Sequence, residues 1–298
     1  MKLHFYIWFF SLTMTSNYLH GQSIKKEKTK INNRTLTYYH TEPSVKAIGI
    51  LVLLTGTGEP AQSIFTKTNL PKVLAEKGYV TIIPEIQNFL VGNQSQLELL
   101  DALFETQGRK YNVVNFIVGG LSAGGALATR YAEYLFAKNT THNLRGLIAI
   151  DPPLDLERIY VSAESLVKKC DGLIKKEGYS IINQLNNSLG GPPENHLNNY
   201  INQSSYSASA TDGGNARHLK NLPIRLYSEP DLDFVQKTYC SELQFNNINA
   251  FDVEGLSKFL LKIGNTQSKY VSTKGKGFHS WNIVEPVECT DWILSITK

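Results

Sequence analysis

The stretch from Val113 to Lys138 constrains this chain more than any other. Val113 to Val118 is a mostly apolar run of the length of one buried strand. Gly120-Leu121-Ser122-Ala123-Gly124 follows at once. Ala126 to Lys138 then reads as a helix, with Leu127, Tyr131, Tyr134 and Leu135 on one face. A serine between glycines at a strand-to-helix junction sits on a sharp, strained turn, with its hydroxyl exposed above the sheet. The glycines are needed where strand and helix backbones crowd together. Ser122 is therefore a candidate nucleophile.

The flanking chain repeats the strand–helix alternation. Thr29 to Thr41 is β-rich, with Asn32-Asn33 as a hairpin turn. Ala47 to Leu54 (AIGILVLL) is an almost unbroken apolar run, as in a strand covered on both faces. Ser63 to Lys77 has helical character interrupted at Pro71, and Tyr79 to Ile86 is a further strand. Gln94 to Thr106 is helical, and Leu144 to Ile150 is a strand followed by Asp151-Pro152-Pro153. From about Pro152 to Leu222 the alternation stops and Asn, Ser and Gly increase. Helices are expected there near Glu157 to Lys169 and Gly178 to Leu189, and Gly190-Gly191-Pro192-Pro193 reads as a breaker. Pro223 to Ser228 and Ser268 to Ser272 are strands, and Ala250 to Ile263 and Pro286 to Ile296 are helices. The alternation implies an α/β architecture, with a mostly parallel central sheet between helical layers. The irregular segment reads as an insertion over the carboxyl edge of the sheet, where open α/β folds bind ligands.

With its strand and helix context, Gly120-Leu121-Ser122-Ala123-Gly124 resembles the nucleophile elbow of the α/β-hydrolase superfamily, over about Thr29 to Lys298. The resemblance implies the α/β-hydrolase fold, with a lid insertion at about 152–222 between the sixth and seventh core strands. It also implies a chain order of serine, then acid, then histidine. One histidine follows the candidate acid region: His279, between the last strand and the last helix. For the acid, the superfamily spacing after the strand ending near Ser228 selects Asp231. Asp233, Glu229 and, one strand earlier, Asp151 are the alternatives. Two backbone N–H groups should form the oxyanion hole. One is that of Ala123, at a helix N-terminus. The other lies in Thr55-Gly56-Thr57-Gly58, where Thr57 is selected and Gly56 or Gly58 are the register alternatives.

This set implies a serine hydrolase acting on a carboxylic ester through an acyl-enzyme on Ser122. Peptidase, thioesterase and acyltransferase chemistry use the same groups, and an exported non-catalytic binding protein is the alternative of a different class. Tyr160, Tyr179, Tyr200 and Tyr206 among many Asn and Ser residues favour a polar or carbohydrate-linked small-molecule ester. No cofactor is called for. No Cys/His cluster has zinc spacing, so no metal is expected. A net charge of +4 with no basic stripe argues against a nucleic-acid partner.

The N-terminus has Lys2, an apolar run over Leu3 to Leu12 and then polar residues up to Gly21-Gln22. That order matches a signal peptide spanning residues 1–21, and implies an exported, periplasmic or extracellular protein. The run is short for a membrane span and none follows, so stable membrane insertion is not expected. In an oxidising compartment two of Cys170, Cys240 and Cys289 could pair, and the sequence does not choose which.

Overall fold

The structure is a computed structural model, described here for residues 24–31, 34–86, 89–140 and 143–298. The expected signal peptide and the Asn32-Asn33 turn lie outside the described residues. Eight strands form one sheet: β1 (Ile24–Ile31), β2 (Arg34–Thr41), β3 (Gly49–Leu54), β4 (Tyr79–Pro84), β5 (Phe116–Leu121), β6 (Leu144–Ile150), β7 (Ile224–Ser228) and β8 (Ser268–Ser272). Ten α-helices accompany them among the described residues: α1 (Ile64–Lys67), α2 (Leu70–Glu76), α3 (Gln94–Tyr111), α4 (Ala123–Ala137), α5 (Leu156–Lys169), α6 (Gly172–Leu189), α7 (Pro193–Gln203), α8 (Leu232–Thr238), α9 (Asn249–Lys262) and α10 (Pro286–Ile296). The strand order is β1-β2-β4-β3-β5-β6-β7-β8. β3 to β8 run parallel to one another, while β1 and β2 form an antiparallel edge.

The apolar runs become strands because both faces of the sheet are covered. Ile50, Val52 and Leu54 of β3 pack into the core formed with α3, α4 and α9. Leu51 and Leu53, one step out of phase, pack into the core formed with α1, α2 and α10. This is the period of two expected of a strand, with an apolar layer waiting on each side. Each such fully buried Leu or Ile contributes about 1.5–3 kcal/mol. Pro71 does not sit in the middle of a helix. The chain breaks at Thr68-Asn69, and Pro71 falls in the first turn of α2, where its missing N–H costs nothing.

Between β6 and β7 the chain leaves the sheet and builds α5, α6 and α7. These helices carry their own small core of Leu156, Ile159, Tyr160, Leu185, Leu189 and Tyr200. α7 forms where the sequence suggested only a breaker, because Pro193 occupies its first turn. The insertion is fastened at its base by the buried carboxylate of Asp252 on α9. That group accepts hydrogen bonds from the N–H groups of Leu154 and Asp155 at 3.0 and 3.1 Å, and from Arg158 Nε at 2.7 Å. A Cys170–Cys240 disulfide joins the end of α5 to the segment after α8, and Cys289 is free and buried. No helix among the described residues is long and apolar enough to cross a membrane.

Candidate active site

The end of β5 and the start of α4 meet at Ser122, whose backbone has φ 56° and ψ −127°. Such a conformation costs a non-glycine residue about 1–3 kcal/mol, and persists only where the surroundings impose it. Here the flanking glycines explain it. A Cβ on Gly120 would lie 2.5 Å from the Gly124 carbonyl carbon, and one on Gly124 would lie 2.3 Å from the Leu54 carbonyl oxygen. α4 therefore starts pressed against the ends of β5 and β3, at Ala123 rather than at Ala126 as periodicity suggested.

β6 lies beside β5, with Leu121 paired to Ile150, and the Ser122 N–H donates to the Ile150 carbonyl at 2.9 Å. The next residue on β6 is Asp151, so Ser122 and Asp151 leave adjacent strand ends. Asp151 is 2% exposed, and its Oδ2 lies 2.5 Å from His279 Nδ1. A carboxylate only accepts, so Nδ1 donates and Nε2 is left as the basic nitrogen of the ring. Burial pulls the His279 pKa down. The hydrogen bond and charge of Asp151, with smaller contributions from Glu177 on α6 and from Glu59, outweigh it and raise the pKa above the ordinary imidazole value. Six non-glycine residues among those described have positive φ: Asn112, Asn139 and Asn143, which tolerate it, and Ser122, Asp151 and His279.

The structure thus pairs His279 with Asp151 and not with Asp231. Asp231 is the N-cap of α8, accepting from the Phe234 N–H at 2.9 Å. Asp233 lies in the first turn of the same helix. Glu229 is 2% exposed and engages the loop that leads to His279. It accepts from Thr273 Oγ1 at 2.9 Å and from the N–H groups of Lys276 and Gly277 at 2.8 and 3.0 Å. The carboxylate that follows β7 is therefore used to hold the histidine loop, and the one that follows β6 meets the imidazole.

The turn after β3 flanks the serine: a Cβ on Gly56 would sit 3.6 Å from Ser122 Cβ. The Gly56 N–H is already engaged, donating to Glu59 Oε2 at 3.0 Å. That leaves Thr57 and Gly58 as the exposed residues of the turn. Ala123 is the first residue of α4, where an N–H has no intrahelical partner. Glu59 also accepts from Trp281 Nε1 at 3.0 Å and from Lys67 Nζ at 2.7 Å. Burial pushes the Glu59 carboxyl up, but these bonds hold it below its ordinary value. It thereby ties the turn after β3 to the segment just past His279. Neither Glu59 nor Glu229 as a loop clamp was evident from the sequence. The available signals were an acidic residue beside the Gly-rich turn and a second acidic residue directly after β7.

No protein-family model matches the chain, and no curated protein matches it. Solved structures do. An esterase from the fungus Rhizomucor miehei superposes with a TM-score of 0.61 at 14% identity, over 92% of this chain and 84% of that one. Carboxyl esterase 2 from the mycorrhizal fungus Tuber melanosporum gives 0.59 at 14% identity, over 96% and 86%. The acylaminoacyl peptidase of Pyrococcus horikoshii gives 0.58 at 14% identity, over 91% of this chain but 40% of that longer one. The strand order, the turn at Ser122 and these likenesses lead to one conclusion: the chain has the α/β-hydrolase fold.

Proposed function

We propose that this protein is a serine hydrolase that cleaves a carboxylic ester through an acyl-enzyme on Ser122, with His279 as general base and acid and Asp151 as the acid of the triad. The observation that carries the reading is the 2.5 Å contact between His279 Nδ1 and Asp151 Oδ2, on the strand next to the strained Ser122 turn. Ser122 Oγ attacks the ester carbonyl carbon while Nε2 of His279 takes its proton. The oxyanion forms against the N–H groups of Ala123 and Thr57. The C–O bond to the alcohol then breaks, and the alcohol leaves with the proton held by His279. Water adds to the acyl-enzyme with His279 again as base, the acid is released and Ser122 is regenerated. The proton first taken from Ser122 leaves with the alcohol, one from the water replaces it on Ser122 through His279, and the reaction needs no cofactor.

A polar or carbohydrate-linked ester is the favoured substrate, on the Asn and Ser content of the insertion and the exposed ring of Tyr179; Tyr160 and Tyr200 are taken up by the insertion's own core. Peptide-bond cleavage is the second reading, supported by the likeness to the acylaminoacyl peptidase. Export after cleavage at residue 21 belongs to the same proposal, and the Cys170–Cys240 disulfide supports it, since disulfides persist in oxidising compartments. The test is hydrolysis of a panel of short acyl esters, acetylated sugars and acyl-peptide amides by wild type, Ser122→Ala and His279→Ala. Ester turnover that disappears in both variants supports the proposal. Turnover that survives loss of Ser122 refutes it, and amides cleaved faster than every ester select the second reading.

A further inference from the structure

Three aromatic side chains stand in mutual contact beside His279, and none is required by the hydrolytic chemistry. The ring of Phe278 lies 6.2 Å from the His279 ring, centroid to centroid. Phe234 lies 5.9 Å from Phe278, Tyr239 lies 6.4 Å from Phe278, and Phe234 and Tyr239 are 5.9 Å apart. Phe234 and Tyr239 are 41% and 45% exposed, although large aromatics gain most by burial. The segments that carry them are held in place separately. Asp231 caps α8 through the N–H of Phe234 itself. The disulfide pins Cys240, next to Tyr239. Glu229 grips the N–H groups of Lys276 and Gly277, just before Phe278. Exposed rings on immobilised backbone are pre-organised for contact, since little entropy is lost when something settles on them.

Their position indicates which part of a substrate they meet. Across the sheet the order is β3, β5, β6, β7, β8. The oxyanion turn follows β3, Ser122 follows β5 and Asp151 follows β6. Phe234 and Tyr239 lie just beyond β7, and Phe278 just beyond β8. In a tetrahedral adduct on Ser122 the oxyanion points to the β3 side. The leaving oxygen must face Nε2 of His279, which delivers its proton. The alcohol portion is therefore directed toward β7 and β8, where the aromatic cluster stands.

We infer that Phe234, Tyr239 and Phe278 form a leaving-group subsite that takes an alcohol presenting a flat ring face. An aromatic ring and the C–H face of a pyranose share this chemistry. The inference rests on the hydrolase reading above and specifies the alcohol side of that same site.

The test compares kcat/KM for acetate esters matched in acyl group and carbon count. Benzyl acetate is set against n-heptyl acetate for the aromatic source. An acetylated methyl pentopyranoside is set against the acetate of an acyclic hexitol for the sugar source. Wild type should favour the ring-bearing member of at least one pair, and the favoured pair identifies the source. Phe234→Ala and Tyr239→Ala should each shrink that preference about 2- to 12-fold, the range of one aromatic contact. The change should fall on KM more than on kcat. Equal rates within both pairs, or a wild-type preference that neither variant alters, would overturn the subsite. Equilibrium binding of benzyl alcohol and of methyl glucoside, followed by calorimetry, reads the surface without turnover. Binding of one of them that weakens in Phe234→Ala supports the subsite even if no ester is hydrolysed, and undetectable binding of both counts against it. Turnover that persists in Ser122→Ala refutes the hydrolase reading instead.

Discussion

Replacing Asp151 by Asn and, separately, Asp231 by Asn sets the two carboxylates against each other. Asp151 is 2% exposed, with its Oδ2 2.5 Å from Nδ1 of His279, so water is poorly placed to take over its role. Asn keeps the shape but removes the charge, and its amide can donate to Nδ1, which holds the imidazole in the wrong tautomer. The expected loss is about 10⁴-fold in kcat, or roughly 5 kcal/mol of barrier. The pH profile should move as well. His279 must be neutral to act as base, so kcat/KM falls as pH drops through its folded pKa, which lies above the ordinary value of about 6.5. Without Asp151 the lowering effect of burial gains over the remaining pull of Glu177 and Glu59, and the acid limb of the profile should shift to lower pH. Stability carries the matching sign. A raised folded pKa contributes stability fully present below the unfolded value of about 6.5, lost as pH rises through the folded pKa, and absent from the variant. Asp231→Asn is the control with the opposite outcome. Asn caps a helix as well as Asp does, so kcat should stay within about threefold. The assay is steady-state hydrolysis of a short acyl ester from pH 5 to 9, with thermal unfolding alongside. A variant at position 231 that loses orders of magnitude, beside an unimpaired variant at 151, would refute the pairing.

Three further outcomes follow from the same geometry. Ser122→Gly should abolish hydrolysis yet raise the melting temperature by about 1–2 °C, because glycine relieves about 1 kcal/mol of strain at φ 56°; differential scanning calorimetry measures it. Glu229→Gln turns an amide N–H₂ toward donors that have lost an acceptor, so it should cost about 1–3 kcal/mol in stability. It should also lower kcat more than it raises KM in the same ester assay. Replacing both Cys170 and Cys240 by Ser removes a cross-link between residues 70 apart, and denaturant titration should show a loss of about 4 kcal/mol by the loop-entropy relation.

What the sequence showed and what it hid divide along physical lines. β3 is legible because burial on both faces leaves an unbroken apolar run, and such runs have few other uses; β5 is legible only in part, since it runs from Phe116 to Leu121, three residues later than the run from Val113 to Val118 indicates. Ser122 was legible because the crowding that strains it also demands glycine at 120 and 124. His279 was legible as the one histidine late enough in the chain. The acid was not. Asp151, Glu229, Asp231 and Asp233 all follow strand ends, and local sequence does not say which one faces the imidazole. That depends on how the loop after β8 folds back, which Glu229 decides through backbone N–H groups that leave no trace in side-chain identity. The start of α4 at Ala123 is hidden in the sequence because Gly124 and Gly125 are poor helix formers, and close packing against β3 overrides their propensity. The choice of Cys170 and Cys240 required the insertion and α8 to be seen side by side.

The central claim is that Ser122 is the nucleophile. Treatment of the purified protein with a fluorophosphonate, followed by intact-mass and peptide mapping, tests it most directly. One adduct on the peptide carrying Ser122, absent from Ser122→Ala and strongly slowed in His279→Ala, is the predicted result. An adduct on another residue, or labelling of Ser122→Ala at the wild-type rate, would contradict it.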